Sequence, residues 1–332
     1  MSKLKIGVIG LGFIGKLHLR IWEENPNVEV TAICDVFEPA AKEAAEKYGC
    51  TYYTDFNKMF AEADIDAVDI CVPEDFHVAP AVAAAKAKKN ILIEKPIAKT
   101  VKEAEEIKAA ADENGVRLMV AHVLKFDPRY VQLNDAIESG KLGTITTLAL
   151  KRTNSQGTPK RLKGKVSYFY YMGIHDIEWM LTYNKATKPV KVYAQQSEIV
   201  LKGLDKDATF VTVTFENGSI GSLEFNWAFP ENGACGFMTY AEVVGSEGAA
   251  ILNVDNQGLA VFEGPAVEYP DALHWPEYNG KILGELKEEL AHFAQATLDG
   301  TPYLVDTENA IHAVAIVEAA MESIRTGNPV LL

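Results

Sequence analysis

Six residues, Gly10-Leu11-Gly12-Phe13-Ile14-Gly15, constrain the fold of this chain more than any others. They close the apolar run "KLKIGVIG" and open "FIGKLHLRIWEE", whose apolar residues recur at helical spacing. Each glycine of such a strand-to-helix turn answers a different need. Gly10 permits the tight turn, Gly12 leaves the backbone open to a close neighbour, and Gly15 lets helix and sheet approach. The free amides and positive end of the helix face whatever occupies the turn, which suits the oxygens of a pyrophosphate. The next strand, "VEVTAICD", ends on Asp35, 20 residues past Gly15. An acid at that place accepts hydrogen bonds from adenosine ribose hydroxyls and repels a 2′-phosphate. Val36 and Phe37 supply no cation to offset it. Gly10, Gly12, Phe13, Ile14, Gly15 and Asp35 are therefore read as a dinucleotide site, with NAD preferred over NADP.

The following segments repeat the strand–helix alternation. "EPAAKEAAEKYG" is a helix with Pro39 in its first turn and Gly49 past its end; "AVDICVP" and "NILIE" are strands separated by the helix "HVAPAVAAAKAKK". Thr100 and Glu103 form a capping box for "TVKEAEEIKAAADENG", and "RLMVAHV" is one more strand. These strands are apolar on both faces, as in a parallel sheet covered by helices. Beyond Phe126–Pro128 the period changes to two. "ATFVTVTFENGSIGSLEFNW" alternates on both sides of Asn217–Gly218, a hairpin signal, and two amphipathic helices follow. The predicted fold class is α/β: an N-terminal Rossmann doubly wound parallel sheet over residues 1–122, and a C-terminal α+β domain with an open, mostly antiparallel sheet over residues 123–332.

The formal net charge of −14 argues against general nucleic-acid binding and against docking on anionic membranes. No stretch reads as a signal peptide or a membrane span. Cys34, Cys50, Cys71 and Cys235 have no CxxC or paired spacing, so buried thiols are expected in a cytoplasmic protein, with no metal site.

One strand ends oddly. "NILIE" runs into Lys95-Pro96, placing an amine at the carboxyl edge of the sheet, where ligands of open α/β sheets bind. Oxidation of an alcohol by a nicotinamide needs a group to take the hydroxyl proton and a positive group near the oxygen. A partly desolvated lysine can supply the second and assist the first. On position alone, a solvated lysine after a strand is the commoner outcome.

The GLGFIG loop, Asp35, "VPEDFH", "EKP", "KFDPRY", the hairpin ending at Trp227 and "VVGSEGAAIL" together resemble the Gfo/Idh/MocA oxidoreductases along nearly the whole chain. The resemblance implies a Rossmann domain plus an open-sheet domain, a catalytic Lys95, and a nicotinamide bordered by Pro73, His77 and the EKP residues Glu94 and Lys95. It also implies a homodimer or homotetramer. That family's second signature, an Asp, three residues, then a His, aligns with "YYMGIHDIEWM". His175 takes the histidine place and is read as the base. Tyr171 replaces the acid and is read as a substrate contact. Glu74 stands where the family often has Asn. Asp176, adjacent to His175, is read as stabilising a helix start.

Between Ser139 and His175 there is no acidic residue, while Lys141, Lys151, Arg152, Lys160, Arg161, Lys163 and Lys165 contribute +7. Such a run suits either a solvated loop or an anionic sugar, with Arg152 and Arg161 as anchors. The expected activity is NAD-dependent oxidation of a secondary hydroxyl of a sugar, cyclitol or nucleotide-sugar. The alternatives are a redox-neutral glycosidase using bound NAD, and an NAD(H)-binding sensor without turnover.

Overall fold

The computed structural model describes residues 3–231, 237–254, 259–263 and 266–332. Two compact units divide it. One is the chain up to Phe126 together with His274–Val314; the other is Asp127–Leu273 with Ala315–Leu332. The units do not follow a single cut at 122/123, because a late segment joins the first of them.

The first unit alternates β1 (Leu4–Ile9), α1 (Phe13–Glu24), β2 (Val28–Cys34), α2 (Glu38–Tyr48), β3 (Thr51–Tyr53), α3 (Phe56–Glu62), β4 (Ala67–Ile70), α4 (Val78–Lys86), β5 (Asn90–Glu94), α5 (Val101–Asn114) and β6 (Leu118–Ala121). Within this six-stranded sheet every strand pair is parallel, in the order β3-β2-β1-β4-β5-β6. The order reverses direction between β1 and β4, the switch point outside which such sheets bind ligands. Ile6, Val8, Ile33, Val68, Ile70 and Ile91–Ile93 are fully buried, which explains the unbroken apolar runs. Thr100 and Glu103 cap α5 reciprocally, and Gly115 closes it with φ +66°. The short β3 and α3, the latter capped by Asp55, are additions to the sequence reading.

The second unit holds α6 (Pro128–Glu138), β7 (Ile145–Ser155), α7 (Gly157–Leu162), α8 (Ile174–Tyr183), β8 (Pro189–Ser197), β9 (Ala208–Phe215), β10 (Ile220–Phe229), β11 (Phe237–Gly245) and β12 (Ala249–Asn253). Its sheet runs β12-β11-β7-β10-β9-β8 and ends on the strand Val330–Leu331. Only the β7–β10 pair is parallel among these ladders. Alternation is clear in β9, where Val211, Val213 and Phe215 are buried and Phe210 is exposed. At the hairpin Gly218 carries the left-handed φ of +87° that the turn requires.

Two helices close the chain, α9 (Glu285–Asp299) and α10 (Thr307–Thr326). The buried face of α9, Leu286, Leu290 and Phe293, belongs to the first unit; Phe293 meets Trp22 of α1 edge to face with centroids 6.4 Å apart. Among the described residues no helix is long and apolar enough to cross a membrane. Cys34, Cys50 and Cys71 are free thiols; Cys235 lies outside the described residues.

Candidate active site

The glycine turn between β1 and α1 shows why each glycine is there. Gly10 has φ +94°, and a Cβ on it would lie 2.8 Å from the Cys71 carbonyl group. A Cβ on Gly15 would lie 2.0 Å from the Gly10 oxygen, so helix and strand touch there. A Cβ on Gly12 would meet nothing within 4 Å. The protein's own packing thus demands Gly10 and Gly15, whereas the space over Gly12 is kept for something else. Gly12 precedes the first turn of α1, which holds no acidic side chain to compete with an anion.

Asp35 locks this turn. Its Oδ2 accepts the Leu11 N–H at 2.7 Å and its Oδ1 the Phe37 N–H at 2.8 Å. Val36 beside it is 92 % exposed. Backbone amides, open space above Gly12 and an acid at the end of β2 fit a dinucleotide. Phe13 is exposed, and its ring stands 6.1 Å from that of Trp275, an aromatic neighbour that sequence reading did not find.

Pro73 and the short turn Glu74–Phe76 follow β4. His77 is buried rather than lining an open surface. Its Nδ1 faces the carbonyl oxygens of Pro96 (2.9 Å) and Ile97 (3.2 Å), and its Nε2 faces that of Val72 (2.9 Å). Burial lowers its pKa against the pull of these carbonyls. The ring ties the end of β4 to the segment after β5, an indirect way of bordering a ligand. Lys95 follows β5 directly, and its bond to Pro96 is cis. The Glu94 side chain turns back, its Oε2 accepting the Lys95 N–H at 3.1 Å.

Beneath this edge lies a buried polar group that the sequence reading missed. His18 on α1 holds Asp69 Oδ2 through Nδ1 at 2.9 Å, and Trp22 Nε1 donates to the same oxygen at 2.7 Å. His18 Nε2 lies 3.4 Å from Glu94 Oε1, an ion-pair contact rather than a hydrogen bond. Burial acts to lower the His18 pKa, but Asp69 and then Glu94 outweigh it and the net direction is up. Glu289 of α9 is wholly buried nearby, and neither of its oxygens has a hydrogen-bond partner among the described residues.

His18, Asp69 and Cys71 offer ligand atoms within 4.8 Å of one another. The Cys71 thiol already contacts Asp69 Oδ1 at 3.3 Å, and burial pushes its pKa well above the usual range. As they stand, the three side chains are joined by hydrogen bonds through Asp69.

In the second unit His175 is the second residue of α8 and is buried. A π-helical turn, Phe169–Gly173, leads into it and carries Tyr171; such turns are frequent at functional sites. Arg161, in α7, reaches the Tyr171 hydroxyl with Nη2 at 3.3 Å on the exposed side. Arg152 is only 2 % exposed. Its Nε and Nη2 each lie 2.7 Å from Asp176, one from each carboxylate oxygen. The guanidinium read as a ligand anchor thus serves an internal ion pair, and Asp176, read as a helix-start charge, is its partner. Lys151 pairs with Glu224 at 3.0 Å and Lys160 with Glu231, so part of the basic run is neutralised within the unit. A cavity of about 300 Å³ lined by Tyr168, Asp207, Phe225 and Trp227 includes neither Tyr171 nor His175.

The doubly wound sheet, its glycine turn and the acid after β2 have the form of a dinucleotide-binding domain. The chain belongs to the Gfo/Idh/MocA oxidoreductase family: residues 4–122 match its NAD-binding Rossmann fold and residues 134–332 its C-terminal alpha/beta domain. Among its relatives is the inositol 2-dehydrogenase of Rhizobium meliloti (strain 1021), 27 % identical and covering 97 % of each chain. The uncharacterized oxidoreductase YrbE of Bacillus subtilis (strain 168) is 29 % identical over 99 % of this chain and 96 % of its own. In fold, the chain is similar to scyllo-inositol dehydrogenase from Lactobacillus casei, solved with NAD(H) and scyllo-inositol. The TM-score is 0.87, the identity 19 %, and 99 % of each chain is covered.

Proposed function

We propose that the protein is an NAD-dependent dehydrogenase acting on a secondary hydroxyl of a cyclitol or sugar. The observation that carries this reading is Lys95, placed at the carboxyl edge of β5 in the same sheet whose glycine turn keeps open space above Gly12. Relatives named as inositol dehydrogenases support the substrate class. When bound, NAD accepts the hydride. The chain's own residues do the rest: Lys95 favours negative charge developing on the alcohol oxygen, His175 takes the hydroxyl proton, and Tyr171 holds the substrate. Asp35 favours NAD over NADP, because its charge faces the place of a 2′-phosphate.

Of the two arginines, Arg161 remains as an anchor for an anionic substituent, since Arg152 is engaged by Asp176. An anionic sugar is the narrower form of the proposal. The exposed sheet side chains, such as Phe210 and Ile251, favour a homo-oligomer. Sedimentation equilibrium with only monomer at micromolar concentration would remove that part.

A panel of inositols, neutral sugars, sugar acids and nucleotide-sugars, scored for NADH at 340 nm, tests the activity. Lys95→Ala and His175→Ala are each expected to lower kcat by about 10²–10⁴. If NAD binds but no member is oxidised, a sensor replaces the enzyme; if glycosides are cleaved without net NADH, the redox-neutral reading does. Equal turnover of neutral and anionic substrates removes the role of Arg161 alone.

A further inference from the structure

The buried cluster under β4 and β5 has no part in the reaction as described above, yet it touches the residue before Lys95. His18 sits one turn into α1, the helix that begins at the glycine loop. Trp22, four residues on and so on the same helix face, shares its partner Asp69. Asp69 is the single carboxyl within β4, a strand buried along its whole length. It is held from several sides: by His18 and Trp22 on Oδ2 and by Cys71 on Oδ1. An imidazole clamped in this way on Nδ1 has its Nε2 fixed in direction. That nitrogen faces Glu94 Oε1, while the other Glu94 oxygen accepts the Lys95 N–H.

We propose that His18 is a positioning residue for Lys95: held by Asp69, its ring fixes the Glu94 carboxyl group, which fixes the backbone from which the Lys95 side chain leaves. The inference rests on the reading of Lys95 as the group that meets the alcohol. One helix then serves two ends. Its first amides face the place of the pyrophosphate, and its inner face sets the edge where Lys95 leaves the sheet. The groups facing His18 are Asp69 and Cys71 from the β4 segment and Glu94 from β5; Glu289 of α9 lies near enough for the charges of Glu94 and Asp69 to add to the rise of its own pKa.

The test uses the full chain with His18→Gln, Glu94→Gln and the double variant, each saturated with NAD. Two quantities are read. The first is the rate of Lys95 acetylation by acetic anhydride as a function of pH, followed by peptide mass spectrometry; it needs no turnover. The second is kcat and KM on whichever alcohol the panel identifies. Each single variant is expected to change the Lys95 acetylation profile. Each should also lower kcat by between about ten- and a hundredfold, the scale of a misplaced catalytic group. The double variant should be no worse than the worse single one, because both act along one line. An unchanged acetylation profile in the single variants overturns the proposal, as do losses that multiply in the double variant. If no alcohol reduces NAD, the dehydrogenase reading fails while acetylation still decides this one. Should His18→Gln not fold, Asp69→Asn releases the ring from its other side and is read in the same way.

Discussion

Glu289 offers a sharp test of the buried cluster's energetics. It lies on the inner face of α9, wholly buried, with both oxygens lacking a hydrogen-bond partner among the described residues. Burial foremost, and then the charges of Glu94, Glu285 and Asp69, push its pKa well above the usual carboxyl range. The folded chain therefore keeps a proton that the unfolded chain releases above about pH 4.3. Stability from this group is complete below that pH and falls as pH rises towards the folded-state value, by about 1.4 kcal/mol per pH unit. Between pH 5 and 7 the loss keeps growing for as long as the folded-state carboxyl stays protonated. Glu289→Met keeps an unbranched side chain and removes the titration. The variant is expected to be more stable than the parent at pH 7, with the gap narrowing as pH falls to 5. Urea titrations read through hydrogen exchange of the Leu290 and Phe293 amides report on the first unit without assuming that both units unfold together. Parallel parent and variant lines across that range, or a variant weaker at pH 7, would refute the reasoning.

Other outcomes follow from single contacts. Gly15→Ala should abolish NAD binding or folding, since its Cβ would lie 2.0 Å from the Gly10 oxygen, whereas Gly12→Ala should fold normally and lose only NAD affinity; thermal melts with and without NAD separate the two. Asp35→Asn keeps an acceptor for the Leu11 N–H but removes the charge, so the ratio of kcat/KM with NAD to that with NADP should fall by at least about tenfold, or ~1.4 kcal/mol. Arg152→Met strands Asp176 and should cost about 3–5 kcal/mol in denaturant unfolding of the second unit, while Arg152→Met with Asp176→Leu should recover most of it.

What could be read in the sequence was whatever local geometry decides. The glycine turn, the acid ending β2 and the α5 capping box each need only a dozen or so neighbouring residues, and all three stand as expected in the fold. The strand β3 was missed because three residues carry no period. The return of α9 to the first unit joins segments more than 250 residues apart, as in Lys287 and Glu24, and no local pattern encodes that. Arg152 is different, because the signal was present. Leu148, Leu150 and Arg152 alternate along β7, which puts the arginine on the buried face with the leucines. A guanidinium there must find a carboxylate.

The same argument reaches the cluster around His18. In "AVDICVP" an aspartate interrupts a strand that is apolar on both faces. A carboxyl group so placed cannot be left without donors, and those donors must come from an element packed on the strand. The helix that follows the glycine turn is such an element, and its His18 and Trp22, four residues apart, are its polar-tipped residues on one inward face. Asp69 therefore implied a donor on some element packed on β4, and α1 supplies it. What the strand could not show is that the imidazole's second nitrogen would turn to Glu94. That depends on β5 lying next to β4 in the parallel register that sets Ile93 beside Ile70 and leaves Glu94 one residue further along the edge.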